Sequence, residues 1–377
     1  MRKIPESQSL KQGLEKASRK GSSAPSQKHP TLDPDLMEVD IPLEGSKQQQ
    51  GRLAYLVNEV CKSPAGRFII DVAASSGYEL CFDKDCRAEG IYGYAEPVDQ
   101  ICALNPDNTP EESIITLAHE LRHAFQFNHK ITENVDARSH TTKSKMMLDR
   151  VMEADAESYG CLVAWELKEK GLSKSWNDFS EEFPEVAGPF EKALKDGRPL
   201  SEARMEAFLG WYDNAERRDS YDESHLAALQ DIEPKVLKKK LSSMPASKIV
   251  KALCHDIENG TDYFTKDPAM LETGKYVAVS EERHAEFKAY FAERDKLPER
   301  QPDKSLDQLV VEPSLPEQEK PKAKKKPKAV SQEARKVSLE TKQAKAASVI
   351  KEKRAKNTAA PATLSSAIAA TKKFSRY

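Results

Sequence analysis

Between residues 110 and 126 apolar and polar positions recur with the period of a helix. Ile114, Ala118, Leu121 and Phe125 fall at three- and four-residue spacing and form an apolar stripe. Ile115, His119, Arg122, His123 and Gln126 share the neighbouring face. The start is signalled as well: Thr109 suits the N-cap, Pro110 the first helical position and Glu112 the capping box. A second helical stretch covers 145–170, with Leu148, Val151, Met152, Leu162 and Val163 as core candidates. Downstream, 202–218 carries Met205, Phe208, Leu209 and Tyr212 at helical spacing. The segments 247–257 (Ile249, Val250, Leu253, Ile257) and 280–294 (His284, Phe287, Tyr290, Phe291) do the same. These stripes read as core-facing, and the isolated His255 and His284 as structural. Ahead of the first helix, 100–105 is β-prone and bounded by Asn105-Pro106.

Composition divides the chain. Of 377 residues 32% are charged, and the formal net charge is only −2. That balance hides a split. Residues 301–377 hold 18 Lys and Arg against 8 Asp and Glu, a net of +10, so the first 300 residues carry −12. Residues 1–50, rich in Ser, Lys, Gln and Pro, read as a disordered N-terminal region. Residues 51–296 have apolar content for one compact domain. Residues 297–377 read as a Pro- and Lys-rich linker and basic tail, with a charged helix possible at 331–356. The run 322–328 (Lys-Ala-Lys-Lys-Lys-Pro-Lys) could contact nucleic acid or an acidic surface, although no aromatic residue interleaves with it. Its simpler reading is a solubilising linker. No 18-residue apolar run predicts a membrane span, and the basic start has no apolar stretch behind it to make a secretory signal. A cytoplasmic protein, or one exported without a cleaved signal, is expected. The six cysteines contain no C-x-x-C pair and read as reduced thiols.

The chemistry is concentrated in His119-Glu120-Leu121-Arg122-His123, an H-E-x-x-H motif. On a helix the two histidines share a face and can bind one metal ion, with Glu120 beside the open coordination position. A catalytic zinc site takes three protein ligands and a water, so a third ligand is required. Glu153, 30 positions after His123, heads an acidic run in which Glu153 and Glu157 share a helix face. Asp155 competes for the role, but it sits about 200° around the helix from Glu153, so both cannot face one metal.

The motif and the pattern Glu153-x-x-x-Glu157-x-x-Gly160, followed by Leu162-Val163, resemble the gluzincin branch of the zincin metallopeptidases over 78–167. More widely, the chain resembles bacterial metallopeptidases of unknown substrate. The resemblance implies an α+β fold, with a small mixed β-sheet, the active-site helix and a mostly helical C-terminal subdomain. Residues 91–94 and 100–105 look like the last two strands before that helix, the latter at the sheet edge where an extended peptide could pair with it. It also implies Zn²⁺ held by His119, His123 and Glu153, Glu120 as general base in peptide hydrolysis, and Glu157 orienting a ligand histidine from behind. Glu157 departs from the pattern, which more often has Asp there. An oxyanion donor is also needed, and Tyr212, Tyr221 and His225 are candidates that the resemblance does not assign. The substrate would be a protein or peptide. A different reading keeps the metal-stabilised helix pair but no catalysis, leaving an interaction protein. The layout of polar N-terminus, compact core and basic tail would suit an exported bacterial effector acting through that tail.

Overall fold

The structure, a computed structural model, describes residues 29–256 and 261–313. Helix α1 (Lys47–Val60) begins at Ser46, which forms a reciprocal capping box with Gln49. Helix α2 (Pro64–Ser75) begins at Ser63, with Pro64 at its first position. Strand β1 (Glu79–Phe82), the short helix α3 (Asp85–Glu89) and strands β2 (Gly93–Glu96) and β3 (Ile101–Leu104) follow. These strands form a mixed sheet in the order β1-β3-β2. β3 runs parallel to β1, with Glu79 opposite Ile101, and antiparallel to β2, with Gly93 opposite Leu104.

This order corrects the expectation for 100–105. The strand before the motif helix is central, and β1 and β2 are the outer strands. Gln100 turns the chain at φ 54°, returning β3 between its two neighbours. Burial agrees: Cys102, Ala103 and Leu104 are all buried, whereas β2 alternates buried and half-buried positions as a one-sided strand does. β2 also lies two residues later than the 91–94 expected of it.

Helix α4 (Pro110–Phe127) carries the motif. Its predicted start is realised: the Thr109 hydroxyl accepts from the Glu112 amide at 3.2 Å, and the Glu112 carboxylate accepts from the Thr109 amide at 2.7 Å. α4 lies close against the sheet, and Gly93 permits this, since a Cβ there would stand 2.7 Å from the Ala103 carbonyl and 2.8 Å from Thr116 Cγ2. The two-faced helix expected from periodicity is not what forms. Residues 113–124 are buried without a break, while Phe125 is only half-buried. Polar residues occupy the inner faces because they bond to one another. After the short helix α5 (Lys130–Asn134) comes α6 (Thr142–Glu169), capped by Thr141. Its residues 150–164 are all buried, for it runs between α2, α4, α7 (Lys174–Glu182), α8 (Pro184–Lys195) and α9 (Leu200–Trp211).

The helix expected over 202–218 is two helices. It breaks after Trp211, and Asn214 caps α10 (Ala215–Gln230) by accepting from the Arg217 amide at 2.9 Å. Helix α11 (Ala246–Leu253) stops short of the expected 257, where β4 (His255–Asp256) and β5 (Thr261–Asp262) pair antiparallel. Strand β6 (Ala278–Ser280), helix α12 (Glu281–Asp295) and strand β7 (Val310–Glu312) complete the described chain, with β7 parallel to β6. The main buried cluster joins α1, α2, the sheet, α4, α6 to α9 and α11. A second gathers Met146, Leu226, Leu229, Val279, Phe287, Phe291, Leu306 and Leu309.

Both expected boundaries of the compact region move outward. The one at 50/51 falls inside α1, and Val39 and Ile41 already belong to the main core. The one at 296/297 cuts off Leu306, Leu309 and β7, which pack or pair with earlier elements. The basic run 322–328, the helix proposed for 331–356 and most of the polar N-terminal region lie outside the described residues. All six cysteines are free thiols. No helix among the described residues is long and apolar enough to cross a membrane. The fold is α+β, with a small mixed sheet and a largely helical second half.

Candidate metal centre

α4 and α6 pack against each other and bring three donors together. His119 and His123 come from α4, one turn apart, and Glu153 from α6. The two Nε2 atoms lie 3.0 Å apart, and Glu153 Oε2 is 3.5 Å from each. Donors held at about 2.0–2.1 Å from one tetrahedral ion stand about 3.3 Å apart, so the triangle has the size of a metal site. All three residues are buried. Asp155, 200° away around α6, points to the opposite side. Glu153 is the residue of this pair that faces the histidines.

The electrostatics favour a cation at this point. Glu120, Glu153 and Glu157 are all buried around the two imidazoles. Burial would lower His119, but Glu153, Glu157 and Glu120 together push it up to about 9. His123 is raised for the same reason, with Glu153 the main opponent of burial. Burial would raise Glu153, but the two histidines hold it well below the ordinary carboxylate range. Glu120 and Glu157 remain above theirs: burial dominates, partly offset at Glu120 by both histidines and at Glu157 by His119 and Arg217. A proton or a metal ion is attracted to the same place. Two imidazoles and a carboxylate form a donor set that could hold a divalent metal ion.

Around the ligands, the expected residues separate. Glu157 Oε2 lies 3.7 Å from His119 Nδ1, which is beyond hydrogen-bonding length and leaves that buried nitrogen without a partner. His123 Nδ1 has a different partner, Gln126 Oε1 at 2.8 Å. Tyr221 donates to Glu153 Oε2 at 2.7 Å, so it reaches the centre. His225 bonds through Nδ1 to Asp149 at 3.2 Å and packs on Phe287. Tyr212 is packed among Phe208, Trp211 and Tyr276. Of the three oxyanion candidates, Tyr221 is the one that bonds to a residue of the triangle.

Gln126 and the bonding role of Asp155 are what sequence reading missed. Gln126 follows His123 by three residues, a spacing that puts them side by side on a helix, and this was the available signal. A cleft reaches the centre from the His119 side. Its lining includes Tyr92, His119, Phe179 and Phe183, together with the carboxyl groups of Glu112, Glu157, Asp178 and Glu182.

Two buried histidines and a carboxylate converging beneath a capped helix, with a further buried Glu alongside, have the form of a hydrolytic metal centre. Residues 34–264, well over half of the chain, match the model of the family described as "Putative metallopeptidase family (DUF6782)", and the chain belongs to that family. No curated protein and no solved structure gives a significant match. Membership places the chain among proteins described as metallopeptidases, a class of enzyme that needs a metal ion and acts on peptide bonds.

Proposed function

We propose that the chain is a zinc-dependent peptidase of the gluzincin kind, with His119, His123 and Glu153 holding the ion and Glu120 acting as general base. The observation that carries this reading is the convergence of those three donors with a fourth buried residue, Glu120, beside them. When bound, zinc would polarise the scissile carbonyl and lower the pKa of the attacking water. Glu120 takes that water's proton and passes it to the leaving amine. Burial holds Glu120 above the ordinary carboxylate range, which makes it a better proton acceptor and a competent donor afterwards. Tyr221, bonded to Glu153, steadies the carboxylate ligand; turned away from it, the same hydroxyl would be an oxyanion donor. A shift of under about 1 Å would let Glu157 accept from His119 Nδ1 and orient that ring. Glu112, Asp178 and Glu182 of the cleft lining would draw basic side chains of a peptide toward the centre.

Purified protein is expected to carry about one zinc per chain. Glu120→Gln should keep the metal and lose about 10²- to 10⁴-fold in peptide hydrolysis. Full hydrolysis by that variant would remove Glu120 from the mechanism. Zinc bound by a wild-type protein that cleaves no peptide would favour the non-catalytic reading.

A further inference from the structure

The amide of Gln126 is bonded on both sides. Its Nε2 donates to the Met152 carbonyl at 2.9 Å and to Asp155 Oδ2 at 2.8 Å. The carbonyl can only accept. Asp155 accepts as well: its Oδ2 also takes Arg122 Nε at 2.7 Å, and its Oδ1 takes Arg204 Nη2 at 2.7 Å and the Tyr263 hydroxyl at 2.8 Å. The NH₂ group must therefore face α6, and Oε1 must face His123. Oε1 only accepts, so His123 Nδ1 carries the hydrogen. The lone pair of His123 is then on Nε2, the atom directed at His119 and Glu153.

Asp155 is a node rather than an isolated charge. Besides Gln126, it accepts from Arg122 Nε at 2.7 Å and Nη2 at 3.1 Å, from Arg204 at 2.7 Å and from the Tyr263 hydroxyl at 2.8 Å. Arg122 also donates to the carbonyls of Leu253 and His255, at 2.9 and 3.1 Å. The node thus fastens α4 and α6 to α9 and to the chain around β4 and β5.

We propose that Gln126 and Asp155 are positioning residues for the metal. Gln126 holds His123 in the single tautomer that can ligate through Nε2, and Asp155 ties that constraint to α9 and Tyr263. The inference rests on the reading of His119, His123 and Glu153 as metal ligands. It is independent of whether the chain cleaves peptides.

The test is zinc affinity of the full chain, measured by competition with a chromophoric chelator. Gln126→Leu should weaken zinc binding about 10- to 100-fold. Tyr263→Phe, which removes one bond two steps away, should weaken it about threefold. The melting temperature of each metal-free variant separates an unfolded protein from a mispositioned ligand. Because Gln126→Leu could fail to fold, ¹⁵N imidazole spectra of the zinc-loaded wild type give a second measurement. A protected proton on His123 Nδ1, with zinc on Nε2, is expected. Zinc on Nδ1, or an affinity unmoved by Gln126→Leu, would overturn the tautomer lock. An affinity unmoved by Tyr263→Phe would overturn the link through Asp155. Zinc binding without hydrolysis would sink the peptidase reading alone, whereas failure to bind zinc would sink both.

Discussion

α6 carries two buried arginine–aspartate nodes, five residues apart, and they serve different ends. Asp155 gathers Arg122, Arg204, Gln126 and Tyr263 and stands one bond behind His123. Arg150 donates to Asp222 at 2.6 and 3.2 Å and to the carbonyls of Tyr276 and Ala278, each at 2.8 Å. The second node makes no bond to the triangle itself, although Tyr221, the neighbour of Asp222, bonds Glu153. It holds α6 to α10 and to the approach to β6, at the border of the second core. The family-matched region, 34–264, contains every member of the first node but ends before Tyr276 and Ala278. The same buried chemistry thus backs the proposed ligand His123 in one place and joins two packed regions in the other. A buried ion pair does not declare its purpose; its neighbours do.

Breaking each node should separate the two roles. The largest effect is expected for Asp155→Ala, which leaves Arg122 and Arg204 buried without their carboxylate. Stability should fall by about 3–5 kcal/mol, and zinc affinity should fall with it. Denaturant unfolding and chelator competition together check this. Asp222→Ala should be nearly as destabilising, again about 3–5 kcal/mol, because Arg150 loses its only carboxylate bond among those described. Its zinc affinity, measured on the folded fraction, should be unchanged. Loss of zinc affinity in that variant would erase the distinction between the nodes. Tyr221→Phe removes one hydrogen bond to Glu153 and should lower stability by only about 1 kcal/mol, with a several-fold weaker zinc affinity.

The pH dependence should differ in direction. His119 in the metal-free protein is raised from 6.5 to about 9. Its stabilisation is fully present below about 6.5 and lost as pH rises through about 9. The metal-free protein should therefore melt at lower temperature across that window. Asp155 is depressed, so its contribution is present above its ordinary pKa of 3.8 and lost on acidification below it. In the zinc-loaded protein the alkaline decline should vanish, since the ion occupies the lone pair that would otherwise take the proton. Zinc and proton compete there, so apparent affinity should fall about tenfold per pH unit below about 9 for each proton displaced. A flat melting temperature between these limits in the metal-free protein would contradict the buried charge arrangement.

Thr109, Pro110 and Glu112 announce α4 because capping is local: the bonds join residues three apart, and any helix beginning there must make them. The break at 212–214 was not announced, because Asn214 caps α10 only once α9 has been stopped. Gly210 helps explain that packing, since a Cβ there would stand 2.0 Å from the Glu185 carbonyl. The two-sided burial of α4 was hidden for another reason. Hydropathy ranks Arg122 and Gln126 as solvent-facing, and their hydrogen bonds to Asp155, to backbone carbonyls and to His123 allow them inside.

By itself, the sequence determined that His119 and His123 share one face, that Glu120 lies beside them, and that Glu153 and Asp155 cannot both look the same way. These are consequences of a 100° step per residue, and they hold wherever the helices go. Tertiary structure decided the rest. The packing of α4 on α6 turned Glu153 toward the histidines and Asp155 toward Arg122 and Arg204. The turn at Gln100 put β3 in the centre of the sheet. Gln126, not Glu157, took the back of His123. Gln126 lies only three residues from His123, but the bonds that orient its amide and those that hold Asp155 join residues 26 to 108 apart. No local spacing encodes such partners, because the energy that selects them is the burial of polar groups that must satisfy one another.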